Sequence, residues 1–440
     1  MDRRTFLALS AAATACTRAQ GDTADTAPPQ GSPSRAPEPA EWEPEGALNL
    51  DAFAWGIQTG DAGSDRVFVS IRSTEPSLSV VVMVADGDGW VEERTLEVTC
   101  DHRAEFALDG LTSDTAYRLA AWGSAGRSEV ARFRTALATD QDRVLVFGMT
   151  SCVGRPNAPW PNLAFVPGEQ LDFMGLLGDL VYADGSQNLQ AFRDEYDQAY
   201  STEGLRLATN STSIIATWDD HEVDNNWTED PPEDGVVAAA TQAFQEACPQ
   251  DTSGPLWRVL RYGAVADVFV LDCRGERIPE EDVYLSAEQL QWLTDEVQAS
   301  TARFKLLFNS VPITDFQDLL GGAQEEDRWT GFPVQREAIL SAMEGIPGVI
   351  WLSGDLHFAA LTWVGQPGDL GENQPEVLCG PSGSRRNPFP ALYTGDRTQF
   401  PELLSEWNWV RFEADATLGT LRVQFIGDDG STLADHTLSV

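Results

Sequence analysis

Lysine is almost absent from this 440-residue chain: Lys305 stands alone, and 29 basic residues face 69 acidic ones, a formal net charge of −40. A field of that sign repels nucleic-acid backbones and anionic membrane surfaces, so no nucleic-acid scaffold is expected as a partner. It favours solubility and the uptake of cations. An anionic substrate would need local positive charge in order to enter, most simply bound metal ions. The sequence also has no apolar run near the roughly 20 residues that a bilayer crossing demands. Cysteine and histidine are scarce, at six and four residues. Against these absences stand a hydrophobic content of 42% and a length sufficient for two domains.

The first residues, 1–20, have an Arg3-Arg4 pair, then Phe6-Leu7 and a short apolar stretch. This is the pattern of a twin-arginine export leader, which predicts a periplasmic, extracellular or surface-anchored protein. Ala13-Thr14-Ala15-Cys16 resembles a lipoprotein cleavage box, and a lipid at Cys16 would be the one membrane contact expected. Residues 21–45 are rich in Pro, Ser, Ala, Thr and Asp, without apolar period, and read as a disordered tether. Cys100, Cys248, Cys273 and Cys379 allow three pairings in an exported protein, or stay buried thiols; the sequence does not choose.

Over 46–137, short alternating runs separated by Gly, Asp, Ser and Pro predict an antiparallel, fibronectin- or Ig-like β-sandwich domain. These runs are Arg66–Ile71, Ser79–Val84, Ala104–Leu108, Tyr117–Ala121 and Val130–Thr135. His102 falls in a polar turn there and reads as a surface residue. Over 141–440, strands alternate with helical segments, which predicts an α/β domain. Gln190–Leu207, Val236–Cys248 and Ser286–Ser300 read as helices, with Ser286 capping the last. The C-terminal runs, including the one near His436, return to alternation and are expected to extend a sheet edge.

The chemistry gathers where apolar runs stop. Ile214–Ala216 leads into Thr217–Trp227, TWDDHEVDNNW; Met174–Leu177 leads into Gly178-Asp179 and Tyr182; Val349–Leu352 leads into Gly354-Asp355 and His357; Val144–Gly148 leads into Ser151-Cys152. One strand–Gly–Asp ending is most simply a surface turn. Several of them converge on a multi-ligand metal site at the C-terminal edge of a sheet. The donors Cys152, Asp179, Tyr182, Asp220, Asp355 and His357 combine a thiolate and a phenolate, which favour a strongly charged ion such as ferric iron, with carboxylates that suit a hard divalent ion. His221, beside Asp220, is the expected general acid, with Glu222 or Asp219 to hold its tautomer; a plain metal ligand is the competing reading. Asn225 and Asn226 are candidates for a calcium shell or for phosphate contact, against a turn of solvated amides. Arg274 is a candidate phosphate ligand, against a role holding a carboxylate in the fold.

These motifs and their order resemble the PhoD-type alkaline phosphatases of the calcineurin-like metallophosphoesterase superfamily. The resemblance runs through Phe53–Asp61, Ser151-Cys152, Gly178–Tyr182, Trp218–Glu222, Leu271–Arg274, Gln289–Leu293, Trp329–Pro333 and Gly354–His357. It implies a metallophosphoesterase-type β-sandwich flanked by helices, with Fe3+ and Ca2+ as cofactors, or Zn, Mn or Mg in their place. It implies iron held by Cys152 and Tyr182, Asp179 as the bridge, and Asp220, Asp355 and His357 completing the ion positions. Its activity would be hydrolysis of small phosphate monoesters and diesters by a monomer. The alternatives are a phospholipase D-like hydrolase, needing an apolar rim for which Trp329, Phe332 and Phe389 are available, and a non-catalytic surface protein with a relic site. Unlike purple acid phosphatases, the chain has Asp219-Asp220-His221 where Gly-Asn-His is usual and no histidine near Ser310-Val311, which leans the second ion towards calcium.

Overall fold

Short apolar runs become the inner strands of two facing sheets. The computed structural model describes residues 31–227, 235–316, 327–395 and 397–440; the expected leader, Cys16 and residues 21–30 of the tether lie outside them. The first sheet has nine strands, in the spatial order Thr432–Ser439, Thr420–Gly427, Asn408–Asp415, Leu145–Thr150, Phe173–Leu177, Ile214–Thr217, Ile57–Gly60, Arg66–Arg72 and Arg103–Asp109. Its four strands from Leu145–Thr150 to Ile57–Gly60 run parallel. The second sheet has seven, ordered Arg258–Tyr262, Ala266–Val270, Phe304–Phe308, Val349–Ser353, Pro375–Leu378, Ala359–Trp363 and Glu402–Leu404.

The sheets meet through one core, with Phe147, Phe173 and Ile215 from the first and Val268, Phe308 and Leu352 from the second. Helices Leu189–Ser201, Glu203–Asn210 and Val236–Ala247 cover the outer face of the first sheet. Ala287–Ala299 and Pro333–Met343 cover the second. Central strands buried on both faces explain why the sequence shows continuous apolar runs there rather than alternation. The helix expected over Gln190–Leu207 divides at Thr202, whose extended backbone (ψ 133°) caps one helix and opens the next. Ser286 accepts from Gln289 N at 3.1 Å as expected, but the Gln289 side chain turns to the backbone of Asp272.

Two expectations need correction. The all-β region over 46–137 is not a domain apart. Ser77–Asp86, Gly89–Thr99, Ala116–Gly123, Gly126–Arg127 and Ala131–Arg134 form a five-stranded sheet. It packs on Ile57, Val67, Val69 and Ile71, which belong to the nine-stranded sheet. Gly60 pairs in parallel with Ile214, and Asp61 receives Arg258 Nη2 at 2.8 Å from the second sheet. The parallel strand Ile214–Thr217 thereby gains a neighbour on the side where it would otherwise end the sheet with bare backbone.

The tether, in its described part, is anchored. Ser32 Oγ donates to Asp142 Oδ1 at 3.0 Å, Arg35 to Asp172 Oδ1 at 3.2 Å, and Glu38 receives Arg118 Nη2 at 2.6 Å. Polar anchors of this kind leave no hydrophobic period to read. Cys100, Cys152, Cys248, Cys273 and Cys379 are free and buried, so none of the expected pairings forms. His102 is exposed in its turn, and half-buried His436 meets Glu402 at 3.2 Å. Among the described residues, no helix is long and apolar enough to cross a membrane.

Candidate metal centre

Parallel strands of both sheets deliver their polar residues to one edge. Leu145–Thr150 runs into Cys152, Phe173–Leu177 into Asp179, Ile214–Thr217 into Asp219–His221, and Val349–Ser353 into Asp355 and His357. Gly178 has φ +83°, and a Cβ there would lie 2.4 Å from that of Asp219. Only glycine allows those two strand ends to approach. Gly354 is needed for closeness alone, since its Cβ would stand 2.6 Å from that of Ser151. Cys152, Asp179, Asp355 and His357 all take left-handed backbone, φ 54°, 55°, 63° and 57°. Such backbone is uncommon for residues with a side chain and clusters at functional sites.

Three ligand groups result: Cys152 with Asp179 and His357; Asp179 with Asp220 and His221; and Asp219 with Asp220 and Asp355, their donor atoms within 4.8 Å of one another in each. Asp179 is common to the first two and Asp220 to the last two, the arrangement needed for carboxylates that bridge ions. Tyr182 joins the first group, with Oη donating to Asp179 Oδ2 at 3.2 Å and lying 3.1 Å from His357 Nε2. Sequence reasoning missed Ser384, which lies 3.3 Å from His357 Nε2. It sits in a loop with no period and no neighbouring motif.

The electrostatics fit a cation. Burial, then the Asp179 carboxylate, pushes the Cys152 thiol and the Tyr182 phenol well above their usual ranges. Burial with Asp220 does the same to Asp179, and burial with Asp219 to Asp355. For Asp220 burial acts upward too, but Arg274 and His221 outweigh it and hold the carboxyl low. Burial and the nearby His221 charge lower His357 to about 4, leaving a neutral imidazole fit to ligate. Asp179 Oδ1, Asp219 Oδ2 and Asp220 Oδ1 are buried without a hydrogen-bond partner. Buried acceptors normally have partners, and multivalent cations held in these groups would satisfy them, while one beside Cys152 and Tyr182 would draw off the thiol and phenol protons.

Burial disfavours a proton on His221, but its bond to Asp184 and the charges of Asp179 and Asp220 prevail and raise it to about 10. The orienting partner is therefore Asp184, with Oδ1 2.7 Å from His221 Nδ1, and not Glu222 or Asp219. Glu222 is fully buried and instead receives the backbone N–H groups of Asp179 (3.0 Å), Leu180 (2.6 Å) and Asp219 (2.7 Å), fixing two ligand loops to each other. Asp219 receives Arg274 Nε at 2.6 Å and Ser310 Oγ at 3.1 Å.

Arg274 is 0% exposed and is committed to Asp219 and Asp327. Its role is the structural one, because burial leaves it no face for a phosphate. Asn225 and Asn226 do reach the site: both line a cavity of about 320 Å³ together with Asp179, Asp220, His221 and His357. The Asn226 N–H also donates to Asp220 Oδ2. The same cavity is lined by Arg328 and Asn387, neither foreseen, since both lie in loops whose composition signals nothing. Of the apolar rim candidates, Trp329 and Phe332 are buried, whereas Phe389 is exposed at the cavity.

A two-sheet sandwich with overlapping carboxylate-rich ion groups at its strand ends is the architecture of metallophosphoesterases. The fold of a purple acid phosphatase, PPD1 from yellow lupin (Lupinus luteus) seeds, superposes on this one with TM-score 0.65 at 14% identity, over 87% of this chain and 73% of that one. More particularly, the chain belongs to the PhoD-like phosphatase family, whose model matches residues 147–393. A solved structure of PhoD superposes with TM-score 0.76 at 21% identity, covering 89% of this chain and 90% of that one. Alkaline phosphatase D of Bacillus subtilis (strain 168) is 28% identical over 266 residues, 48% of this chain; the match spans about half of that relative's length, 46%.

Proposed function

We propose that the protein is an exported, metal-dependent hydrolase of phosphate monoesters and diesters. The observation that carries this is the sharing of Asp179 and Asp220 among three ligand groups, which suits adjacent cations and little else. Ferric iron matches the thiol and phenol donors, and calcium the carboxylate-rich groups; zinc, manganese and magnesium are the alternatives. Bound cations would polarise the phosphoryl oxygens and supply an acidified water.

The chain's own groups do the rest. Arg328, Asn225 and Asn226 line the cavity and offer donors to anionic oxygens. His221 holds its Nδ1 proton on Asp184, which leaves Nε2 to protonate the leaving oxygen. In the reaction a water oxygen bonds to phosphorus, the bond to the alcohol oxygen breaks, and that oxygen takes its proton from His221, which regains one from the attacking water. The relic reading is disfavoured because every expected ligand is present in the cluster. The lipid reading retains only Phe389 of its proposed rim.

Metal analysis joined to an ester panel tests this. The expected result is iron with calcium, a visible absorption from tyrosinate to iron, turnover of both ester classes, and loss of turnover on chelation while the protein stays folded. Zinc alone with full activity would remove the iron assignment, and no turnover of any ester by metal-loaded protein would remove the function.

A further inference from the structure

The metal cavity holds roughly 320 Å³, room for a phosphoryl group, its ions and a short alcohol. The far end of a longer alcohol must then lie outside it. A second cavity of about 560 Å³ adjoins it through a shared wall, the Phe389 ring, and is lined further by Leu392, Tyr393, Phe400, Gln366 and Gln399. Phe389 and Leu392 are 43% and 68% exposed, unusually so for large apolar side chains one helical turn apart.

The wall is continuous and held in register with the metal ligands. Phe400 stacks on Phe316 at 5.5 Å, Phe316 meets Phe358 edge-on at 5.5 Å, and Leu356, which lines the metal cavity, packs against this cluster. Asn387 donates its N–H to the carbonyl of the ligand His357 at 2.8 Å and its amide to Leu356 O at 3.1 Å, and it caps Phe389 N at 3.0 Å. The short helix Phe389–Leu392 therefore cannot drift without moving the His357 loop. A groove fixed to a hydrolytic centre in this way, with Phe389, Leu392, Tyr393 and Phe400 along its wall, is placed to take what is covalently attached to the reacting phosphorus.

We infer that the groove beyond Phe389 is the subsite for the apolar part of the esterified alcohol, so that the protein favours phosphate esters of alkyl or aryl alcohols over those of polyols. This rests on the hydrolase reading given above. Gln366 and Gln399 leave room for an ether or hydroxyl at the edge of an otherwise apolar group.

The test uses full-length, metal-loaded protein and n-alkyl phosphates from ethyl to octyl, whose leaving alkoxides are nearly equal in basicity. In the native protein kcat/KM should rise with chain length, by about ten- to a hundred-fold across the series. Leu392→Ser, at a position too exposed to be needed for folding, should flatten that rise and lower kcat/KM for octyl phosphate far more than for glycerol 2-phosphate. A flat series in the native protein, or an equal slope in Leu392→Ser, overturns the subsite while leaving the hydrolase standing. Failure to turn over any ester overturns the parent function and the subsite with it.

Discussion

His221 and its partner Asp184 have separable effects on turnover. Asp184 is exposed and belongs to none of the ligand groups, meeting the second of them only through His221, whereas His221 adjoins Asp220. If His221 is the proton donor, His221→Ala should lower kcat by about 10²–10⁴ with metal content retained, and Asp184→Asn should lower it by about 10–100 through imidazole misorientation alone. Stopped-assay kinetics with parallel metal analysis distinguish the cases: loss of metal in His221→Ala would make that residue a ligand. Glu222 acts at one remove. Its carboxyl receives N–H groups from two ligand loops, and burial followed by Asp179 raises it to about 8.

At the scale of elements, the centre depends on strand ends that approach too closely for side chains. Gly178→Ala would force a Cβ against Asp219 and strain a left-handed backbone, at a cost of about 1–3 kcal/mol. It should leave a folded protein whose metal content and turnover collapse together, a result readable from a circular-dichroism melt and elemental analysis. The sequence displayed these endings openly, because an apolar run, a Gly and an Asp are local and each has a local cause. It hid the residues that depend on distant partners. Gly89–Thr99 escaped notice because its Glu, Arg and Thr side chains give a largely solvent-facing strand little apolar alternation. Asp184 as the orienter of His221, and Arg328 and Asn387 at the cavity, follow only from how loops fold over the sheet edge. Arg274 carried two readings until its complete burial decided between them.

For the whole molecule, the region that reads as a separate β-module is joined to the two-sheet body through Gly60 and Ile214, and residues 31–45 strap across both. That strap hangs on charges. Burial works against ionisation of Glu38 and Asp172, but Arg118 holds the first, and Arg143 the second, below the usual range. A carboxyl with a depressed folded pKa contributes stability above its unfolded value and loses it as the pH falls through the folded one. Protection of the amides over residues 31–45, taken relative to their intrinsic exchange rates, should therefore weaken as the pH drops below the ordinary Glu and Asp values of 4.5 and 3.8, and stay level across neutrality. Exchange that instead quickens on raising the pH beyond the intrinsic base-catalysed rate would refute the ionic anchor.

The left-handed backbone shared by Cys152, Asp179, Asp355 and His357 has a thermodynamic corollary. Each such residue raises the energy of the ion-free chain by about 1–3 kcal/mol, and crowded carboxylates add repulsion to it. The core built around this edge prevents the backbone from relaxing before an ion arrives. An arriving ion thus relieves the carboxylate repulsion and finds ligands already ordered by the fold, so part of the grip on a cation originates in the sandwich behind the ligands rather than in the ligands themselves.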